Sequence, residues 1–261
     1  MTTPQFTPDG RLLQVEYASA ASHHSAPLVA LQVNDTWIVL LTVSQSNTQH
    51  RITLFQDDPS STYHSKASNR ESPIAIAMSG VLADNLSLLQ KVLEAAASTY
   101  LKFQKEMSAV QAAKTIGDAC QQHAFGGGMR PYGSTMLVCG FDKRDNKPLL
   151  FQTEPSGAIF DAAGRTKSKQ AIASVQWIIG GSSATQRQLR KQLDQSLERM
   201  KKNASVGDVI SAASKIVLKE TNKNSKEIAK NEKSTSLEVV VLSATEGCYR
   251  VTPEQLETIL A

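Results

Sequence analysis

Apolar runs separated by turn residues predict that the first third of the chain forms strands behind a short helix. Asn34 and Asp35 divide two of these runs, which is the pattern of two strands joined by a turn. Upstream, Asp9 lies in turn-forming sequence and is placed to cap a helix over about Arg11 to His24. The runs predicted to form strands are Leu28–Val33, Trp37–Val43, Ile52–Phe55 and Ile74–Met78.

A first pair of helices is predicted after these strands. Apolar residues at helical spacing form one stripe over about residues 82–103, the side with which a helix packs on a core. Ser108 and Gln111 form a capping box for a second helix that runs to about Phe125. The members of the stripe are Leu82, Leu86, Leu89, Leu93, Ala96 and Tyr100.

A second pair of helices is predicted later in the chain. Its first helix carries an apolar row, and Ser205 with Asp208 caps its second helix, which runs to about Thr221. Residues 222–234 are rich in Lys, Asn and Glu without an apolar period, so we expect a mobile surface loop there. The apolar row consists of Leu189, Leu193, Leu197 and Met200.

Further strands are predicted before and after the second helix pair. After the last of them, Thr252–Gln255 begins a short C-terminal helix, with proline at the first helical position. The additional strands are predicted over Thr135–Phe141, Leu149–Thr153, Ala158–Phe160, Val175–Ile179 and Leu237–Leu242.

The order of elements predicts an α+β fold with four layers. Each helix pair needs a sheet face to cover, and each sheet needs two covered faces. Two antiparallel sheets packed together with helices outside satisfy both needs, as an αββα sandwich. We therefore expect residues 1–261 to form a single domain.

Composition places the chain in the ordinary globular range. The sequence is 41% hydrophobic and 20% charged, with a formal net charge of +4. No apolar run reaches the roughly 18 residues of a membrane-spanning helix, and the first residues lack the features of a secretory signal. Three widely spaced cysteines match no metal-ligand pattern and suit a reducing compartment. We expect no membrane or nucleic-acid partner, no metal and no cofactor.

Residues Phe6–Ala18 read Phe-Thr-Pro-Asp-Gly-Arg-Leu-Leu-Gln-Val-Glu-Tyr-Ala. This stretch closely resembles the N-terminal signature of proteasome α-type subunits, with one conservative change. Arg130–Gly133, Gly140–Asp142 and Gln152–Gly157 resemble further motifs of that family in the same order. The resemblance covers essentially the whole chain. Within the family, His24 and Asn34–Asp35 are similar to stretches of the type-4 subunits at the third ring position.

The resemblance implies the Ntn-hydrolase sandwich and a non-catalytic, structural and gating role in the outer ring of the 20S proteasome. It implies a part in ATP- and ubiquitin-dependent protein degradation in cytoplasm and nucleus. The implied partners are neighbouring α subunits, β-ring subunits and proteasome activators such as the regulatory particle. Residues 1–24 would form the gate segment and the ring-contact helix. Its expected contact residues are Phe6, Pro8, Asp9, Gly10, Arg11, Gln14 and Tyr17.

Departures from the catalytic relatives indicate that the chain does not hydrolyse peptides. Pro27 stands where catalytic β subunits carry their N-terminal threonine nucleophile, and proline has no hydroxyl. In an alignment without gaps, the positions of the catalytic acid and lysine of β subunits correspond to Val43 and Pro59. The alternative is a self-standing Ntn-type hydrolase, for which Ser25 is the only nearby candidate nucleophile, followed by Ala26 and Pro27. The usual Tyr-Asp-Arg gate cluster would precede Met1, so we expect structural support of the gate more than a long plug.

Lys66 lies 14 residues before Gly80, the spacing of the family lysine in the pocket for activator tails. Its ammonium group could pair with a terminal carboxylate. The family's following isoleucine is Ala67 here, and an ordinary solvated lysine is the alternative.

Four other features have structural explanations that we favour over functional ones. Gly180–Ser183 predicts a tight strand-to-helix turn, since it lacks the Gly-Lys-Ser/Thr ending of a phosphate loop. The basic helix after it lacks interleaved aromatic residues, which favours a solvated face over nucleic-acid binding. His23 and His24 have no further ligand at metal-binding spacing. The thiols expected in the core are those of Cys120 and Cys139.

Overall fold

The computed structural model describes seven ranges of the chain. It shows two antiparallel sheets of five strands each within them. The described ranges are 6–44, 50–54, 74–126, 129–162, 172–200, 204–225 and 236–260.

The first sheet has the strand order β10-β9-β2-β1-β8, and the second has the order β3-β4-β5-β6-β7. All neighbours pair antiparallel. The strands are β1 Leu28–Val33, β2 Trp37–Ser44, β3 Ile52–Leu54, β4 Ala75–Gly80, β5 Ser134–Phe141, β6 Pro148–Thr153, β7 Ile159–Asp161, β8 Ala173–Ile179, β9 Ser236–Ser243 and β10 Gly247–Arg250.

Six helices complete the described part of the chain. Their ends follow the caps expected from the sequence at three places: Ser108 and Gln111 form a full capping box, Ser205 pairs with Asp208, and Thr252 pairs with Gln255. The helices are α1 Leu13–Ser22, α2 Leu82–Phe103, α3 Ala109–Phe125, α4 Ser183–Glu198, α5 Val206–Ser225 and α6 Pro253–Leu260.

Three hydrophobic clusters separate four layers. The two sheets pack face to face through side chains such as Leu40 of β2 and Leu137 of β5. Helices α4, α5 and α6 cover the outer face of the first sheet, where Leu193 belongs to the cluster. Helices α2 and α3 cover the outer face of the second sheet around Ile76 and Ile116. The predicted αββα sandwich is therefore confirmed.

Both cysteines predicted for the core lie there. Cys120 and Cys139 are buried, and burial raises the pKa of the Cys120 thiol to about 12. The turn at Gly180–Ser183 joins β8 to α4 as predicted, and the Ser182 side chain caps α4 by accepting from the Thr185 N–H at 3.1 Å. Among the described helices none is both long and apolar enough to cross a membrane.

The predicted orientation of α2 was wrong. Of the expected core stripe, Leu82, Leu86, Leu93 and Tyr100 are 45–53% exposed, while Leu89 and Ala96 are partly buried at its margin. The positions of α2 that are buried are Asp84, Asn85, Leu88 and Val92.

The buried face of α2 could not be recognised from the spacing of apolar residues, because two of its residues are polar and have hydrogen-bond partners inside the protein. The Asp84 carboxylate accepts from the Arg130 guanidinium at 2.7 Å and from the Gly133 N–H at 2.8 Å. The Ser134 hydroxyl donates to the Asn85 side-chain oxygen at 2.5 Å. Because these groups are satisfied inside the protein, a face with two polar residues can be the inner one.

Two other predictions on element ends need correction, and one strand was missed. Asp9 does not cap α1, because the turn that contains it leaves Leu12 at the cap position without a side-chain hydrogen bond. Helix α5 continues to Ser225, so residues 222–225 of the predicted 222–234 loop are helical, and residues 226–234 lie outside the described residues. Strand β10 was not predicted, since its four residues have no apolar alternation.

Candidate ring-contact and gate segment

A tight turn over residues 7–10 precedes α1. The Gly10 N–H donates to the Thr7 carbonyl oxygen at 2.8 Å, and the Thr7 N–H donates to the Arg11 carbonyl oxygen at 2.9 Å. The Thr7 hydroxyl accepts from the Arg11 N–H at 3.0 Å. Gly10 has φ +77°, which residues with a Cβ rarely adopt. The glycine and the threonine of the signature therefore set the direction in which the chain enters α1.

All seven residues predicted for gate and ring contact are exposed on this segment. The Phe6 and Tyr17 rings are 61% and 60% exposed. The Arg11 guanidinium forms an ion pair with the Glu16 carboxylate across the start of the helix, and this bond lowers the pKa of Glu16. The segment thus presents two aromatic rings and a fixed ion pair to its surroundings. The seven residues are Phe6, Pro8, Asp9, Gly10, Arg11, Gln14 and Tyr17.

Helix α1 is held mainly at its last turn. Ser22 is its one buried residue, and it accepts hydrogen bonds of 2.9 Å from the hydroxyls of Ser79 and Thr135, at its carbonyl and its hydroxyl respectively. The helix packs on β4 and β5. Ser19 and His23 also line a cavity of about 300 Å³ that extends to β8 and α4.

The position at which the resemblance places a nucleophile is closed in this chain. Pro27 is buried directly before β1, and its carbonyl oxygen accepts from the Thr42 hydroxyl at 3.2 Å. Val43, at the position of the catalytic acid, is buried in the apolar cluster between the first sheet and its helices. Pro59 lies outside the described residues.

The Ser25 hydroxyl lies next to this position but lacks the surroundings of a nucleophile. It shares a hydrogen bond of 2.6 Å with the Ser79 hydroxyl and accepts from the Gly80 N–H at 3.2 Å. It also lies 3.4 Å from the Ser22 carbonyl oxygen and accepts from Arg51 at 3.3 Å. Within the described ranges none of its hydrogen-bond partners is a histidine, a lysine or a carboxylate.

The Arg51 guanidinium fills the space between the strand ends at this edge of the sandwich. Its Nη1 donates to the Ala26 carbonyl oxygen at 2.7 Å and to the Thr42 hydroxyl at 2.8 Å. Its Nη2 donates to the Met78 carbonyl oxygen at 3.1 Å. Burial lowers the pKa of Arg51 to about 10, so the group stays charged at neutral pH.

Comparison with known proteins assigns the family. A model described as proteasome subunit matches residues 28–175, and a model for the N-terminal signature of A-type proteasome subunits matches residues 1–21. The first of these matches spans more than half of the chain. The chain belongs to the proteasome subunit family.

Three proteins that are similar to this chain are α-type proteasome subunits. The alpha type-4 proteasome subunit of Saccharomyces cerevisiae is 27% identical over 97% of this chain and 90% of its own length. The alpha type-2 proteasome subunit of Caenorhabditis elegans is 33% identical over 59% of this chain and 62% of its own length. The alpha proteasome subunit of Methanosarcina acetivorans is 34% identical over 60% of this chain and 59% of its own length. The chain therefore spans less than two thirds of two of these relatives.

The named relatives support the α-type assignment. Type-2 and type-4 proteins both match, so the resemblance of His24 and Asn34–Asp35 to type-4 subunits stays a prediction. Lys66, the predicted pocket residue, lies outside the described residues.

The polar cluster at the closed end of this proteasome subunit was not predicted from the sequence. Thr42 lies near the end of β2, Arg51 directly before β3 and Ser79 near the end of β4, so the three residues come from three different strand ends. Glu238 extends the cluster by accepting from the Arg51 N–H at 3.0 Å and by pairing with Arg250. A useful signal would have been polar residues at the ends of otherwise apolar strands, since such residues converge at one edge of a sheet.

Proposed function

We propose that this chain is a non-catalytic structural and gating subunit of the outer ring of the 20S proteasome. The observation that carries this proposal is the combination at one end of the sandwich of an exposed signature helix and a blocked nucleophile position. Tyr17 and Arg11 project from α1 and the turn before it into solvent, while Pro27 is buried where a nucleophile would need to be exposed.

The surface of α2 supports assembly with other α and β subunits. Leu86, Leu93 and Tyr100 are about half exposed on one side of this helix, and Leu101 and Phe103 follow at 75% and 67% exposure. Contiguous exposed apolar side chains on a soluble domain mark surfaces that a partner covers. We propose that this face of α2 is buried when the chain enters the particle.

The surroundings of Ser25 support the absence of hydrolysis. A serine nucleophile needs an adjacent base to accept its proton. Arg51 and the Gly80 N–H are donors, and Ser79 offers only another hydroxyl. Among the described residues, the hydrogen-bond partners of Ser25 hold it in place and include no base that could activate it.

Activator docking and cellular location belong to the same proposal. The spacing of Lys66 before Gly80 supports a pocket lysine for the C-terminal tails of activators or of the regulatory particle. We place the chain in cytoplasm and nucleus, and we include neither nucleic acid nor a membrane among its partners. Its role would then be to support the gate in ubiquitin-dependent protein degradation.

Peptide hydrolysis by the purified full chain tests the non-catalytic role. We expect no turnover of fluorogenic peptides above that of a buffer blank, for the parent and for Ser25→Ala alike. Turnover by the parent that disappears in Ser25→Ala would contradict the proposal, because it would assign the reaction to this hydroxyl and favour the self-standing hydrolase.

A further inference from the structure

The linker between α1 and β1 is held by backbone and side-chain contacts from several elements. The Gly181 N–H, after β8, donates to the Ser25 carbonyl oxygen at 2.7 Å. The Ser79 hydroxyl, on β4, donates to the Ser22 carbonyl oxygen at 2.9 Å. Arg51, before β3, donates to the Ala26 carbonyl oxygen at 2.7 Å. Carbonyl groups from the last residue of α1 through the linker are thus bound by donors from both sheets.

Two glycines allow the strand ends to approach this linker. A Cβ on Gly80, which has φ +112°, would lie 2.2 Å from the Gly133 carbonyl oxygen and 3.0 Å from the Ser22 Cα. A Cβ on Gly180, which has φ +70°, would lie 2.6 Å from the Ala26 carbonyl oxygen. All these distances are below those of ordinary carbon contacts, so the linker fits only because these residues have no side chain.

Arg51 is the charged group of this arrangement. It connects the linker at Ala26 with β2 at Thr42 and with β4 at Met78. Hydrogen bonds from a charged donor contribute more than those between neutral groups. Removing the guanidinium would leave four oxygen atoms, those of Ala26, Thr42 and Met78 and the Ser25 hydroxyl, without this donor at a partly buried position.

The body of α1 has few comparable attachments. Most of its residues are exposed or half exposed, and Ser22 is its one buried residue. Beside it lies the cavity of about 300 Å³ lined by Ser19 and His23. The direction of α1 therefore depends on its last turn and on the linker that follows.

We infer that Arg51, Ser79, Gly80 and Gly180 form a socket that positions the ring-contact helix α1 at the end of the sandwich where a hydrolase would hold its nucleophile. Arg51 is the principal positioning residue of this linker socket. The side chain that fills the space beside the closed nucleophile position thereby sets where the signature helix lies. The role of α1 in ring contact rests on the proposed function. The linker socket itself is a property of the free chain.

Hydrogen–deuterium exchange of the purified full chain tests the linker socket. We expect Arg51→Met to raise exchange of the α1 and linker amides by about tenfold or more, the factor that corresponds to the loss of one charge-assisted hydrogen bond. Arg51→Lys should restore part of the protection, since it keeps the charge with fewer donors. Arg250→Met is the control within the same polar cluster, where Arg250 donates to Glu238 and to the Ile52 carbonyl oxygen.

Unchanged α1 exchange in a folded Arg51→Met variant would overturn the inference. So would an equal rise in Arg250→Met, which would indicate general loosening of this edge. If Arg51→Met does not fold, the test of the linker socket is a comparison of α1 amide exchange in Ser79→Ala and in Ser214→Ala. The Ser214 hydroxyl is buried in α5 without a hydrogen-bond partner among the described residues. Only Ser79→Ala should raise α1 exchange, and equal exchange in the two variants would contradict the socket.

A second readout separates the socket from the proposed function. In assembled particles, Arg51→Met should raise basal peptide hydrolysis if α1 supports the gate. Faster α1 exchange in the free chain with unaltered basal hydrolysis in the particle would retain the socket and contradict the gating role. Unaltered α1 exchange would overturn the socket and leave the gating proposal to its own tests.

Discussion

Arg130 donates one hydrogen bond of 2.7 Å to each carboxylate oxygen of Asp84. The pair joins the first turn of α2 to the segment before β5, and the Gly133 N–H donates to the same carboxylate at 2.8 Å. Burial alone would raise the pKa of Asp84. The hydrogen bonds from Arg130 and Gly133 outweigh that effect, so the pKa is lowered.

Replacing Asp84 by alanine should lower the free energy of unfolding by about 1.5–3 kcal/mol, because a buried charged acceptor and its bonds are lost. Urea denaturation at pH 7 measures this change. Arg11→Ala is the matched control, since it breaks an exposed, solvent-screened ion pair with Glu16 and should leave stability almost unchanged.

The effect of Asp84→Ala should depend on pH in a defined direction. A carboxylate with a lowered pKa contributes its stability above the pKa of the unfolded chain, about 3.9, and loses it as the pH falls through the folded pKa. The difference between parent and variant should therefore shrink below about pH 4. Equal costs at pH 7 and pH 3 would contradict the charged role of Asp84.

His50 gives a second pH dependence at the other side of the sandwich edge. Its ring nitrogen Nδ1 lies 2.9 Å from Arg250 Nη1 and 3.4 Å from Glu238. Glu238 favours protonation, but burial and the Arg250 charge outweigh it, so the pKa of His50 is lowered. Stability from neutral His50 is then complete above about pH 6.5 and falls as the pH drops through the folded pKa.

Thermal unfolding at pH 8 and pH 5.5 measures the contribution of His50. The loss of stability between these pH values should be smaller in His50→Gln than in the parent, because glutamine does not titrate. An identical loss in both proteins would assign the pH dependence to other groups.

Gly10 allows a test of the signature turn with a closely matched control. Gly10 and Gly247 have φ +77° and +85°, and a Cβ on either would contact nothing within 4 Å. Alanine at either site should cost about 1–2 kcal/mol of backbone strain. Basal peptide hydrolysis of assembled particles should rise in Gly10→Ala and stay unchanged in Gly247→Ala. An equal response would show that strain alone, without the gate segment, accounts for the change.

The exposed face of α2 predicts separate effects on assembly and on stability. Leu86 is 53% exposed, whereas Leu88 is fully buried. Leu86→Ser should reduce incorporation into particles while the free chain keeps its stability within about 0.5 kcal/mol. Leu88→Ala should instead lower stability by about 2–5 kcal/mol. Full incorporation of Leu86→Ser would show that no partner covers this face.

Local sequence signals predicted most of the fold because they act over a few residues. The capping pairs Ser108 with Gln111 and Ser205 with Asp208 mark helix starts within one turn, and the runs that form β1 and β2 are long enough to be recognised alone. Strand β10 has four residues and forms by pairing with β9, so its existence depends on a distant partner.

Contacts between distant segments explain what the sequence did not predict. The inner face of α2 contains Asp84. Burial of its carboxylate is favourable only because Arg130, 46 positions later in the chain, donates hydrogen bonds to it. Arg51 finds its acceptors at Ala26 and Met78, in two other segments. No periodic pattern contains such partners, whereas the signature helix was identified because its residues are contiguous.

The native mass and composition of the particle that contains the tagged full chain test the central claim most directly. We predict that the chain purifies within a multi-subunit particle together with other α-type and with β-type proteasome subunits, and that peptide hydrolysis in that particle persists in Ser25→Ala. Recovery of the chain as a free monomer that hydrolyses peptides, or hydrolysis in the particle that disappears in Ser25→Ala, would contradict its assignment as a non-catalytic ring subunit.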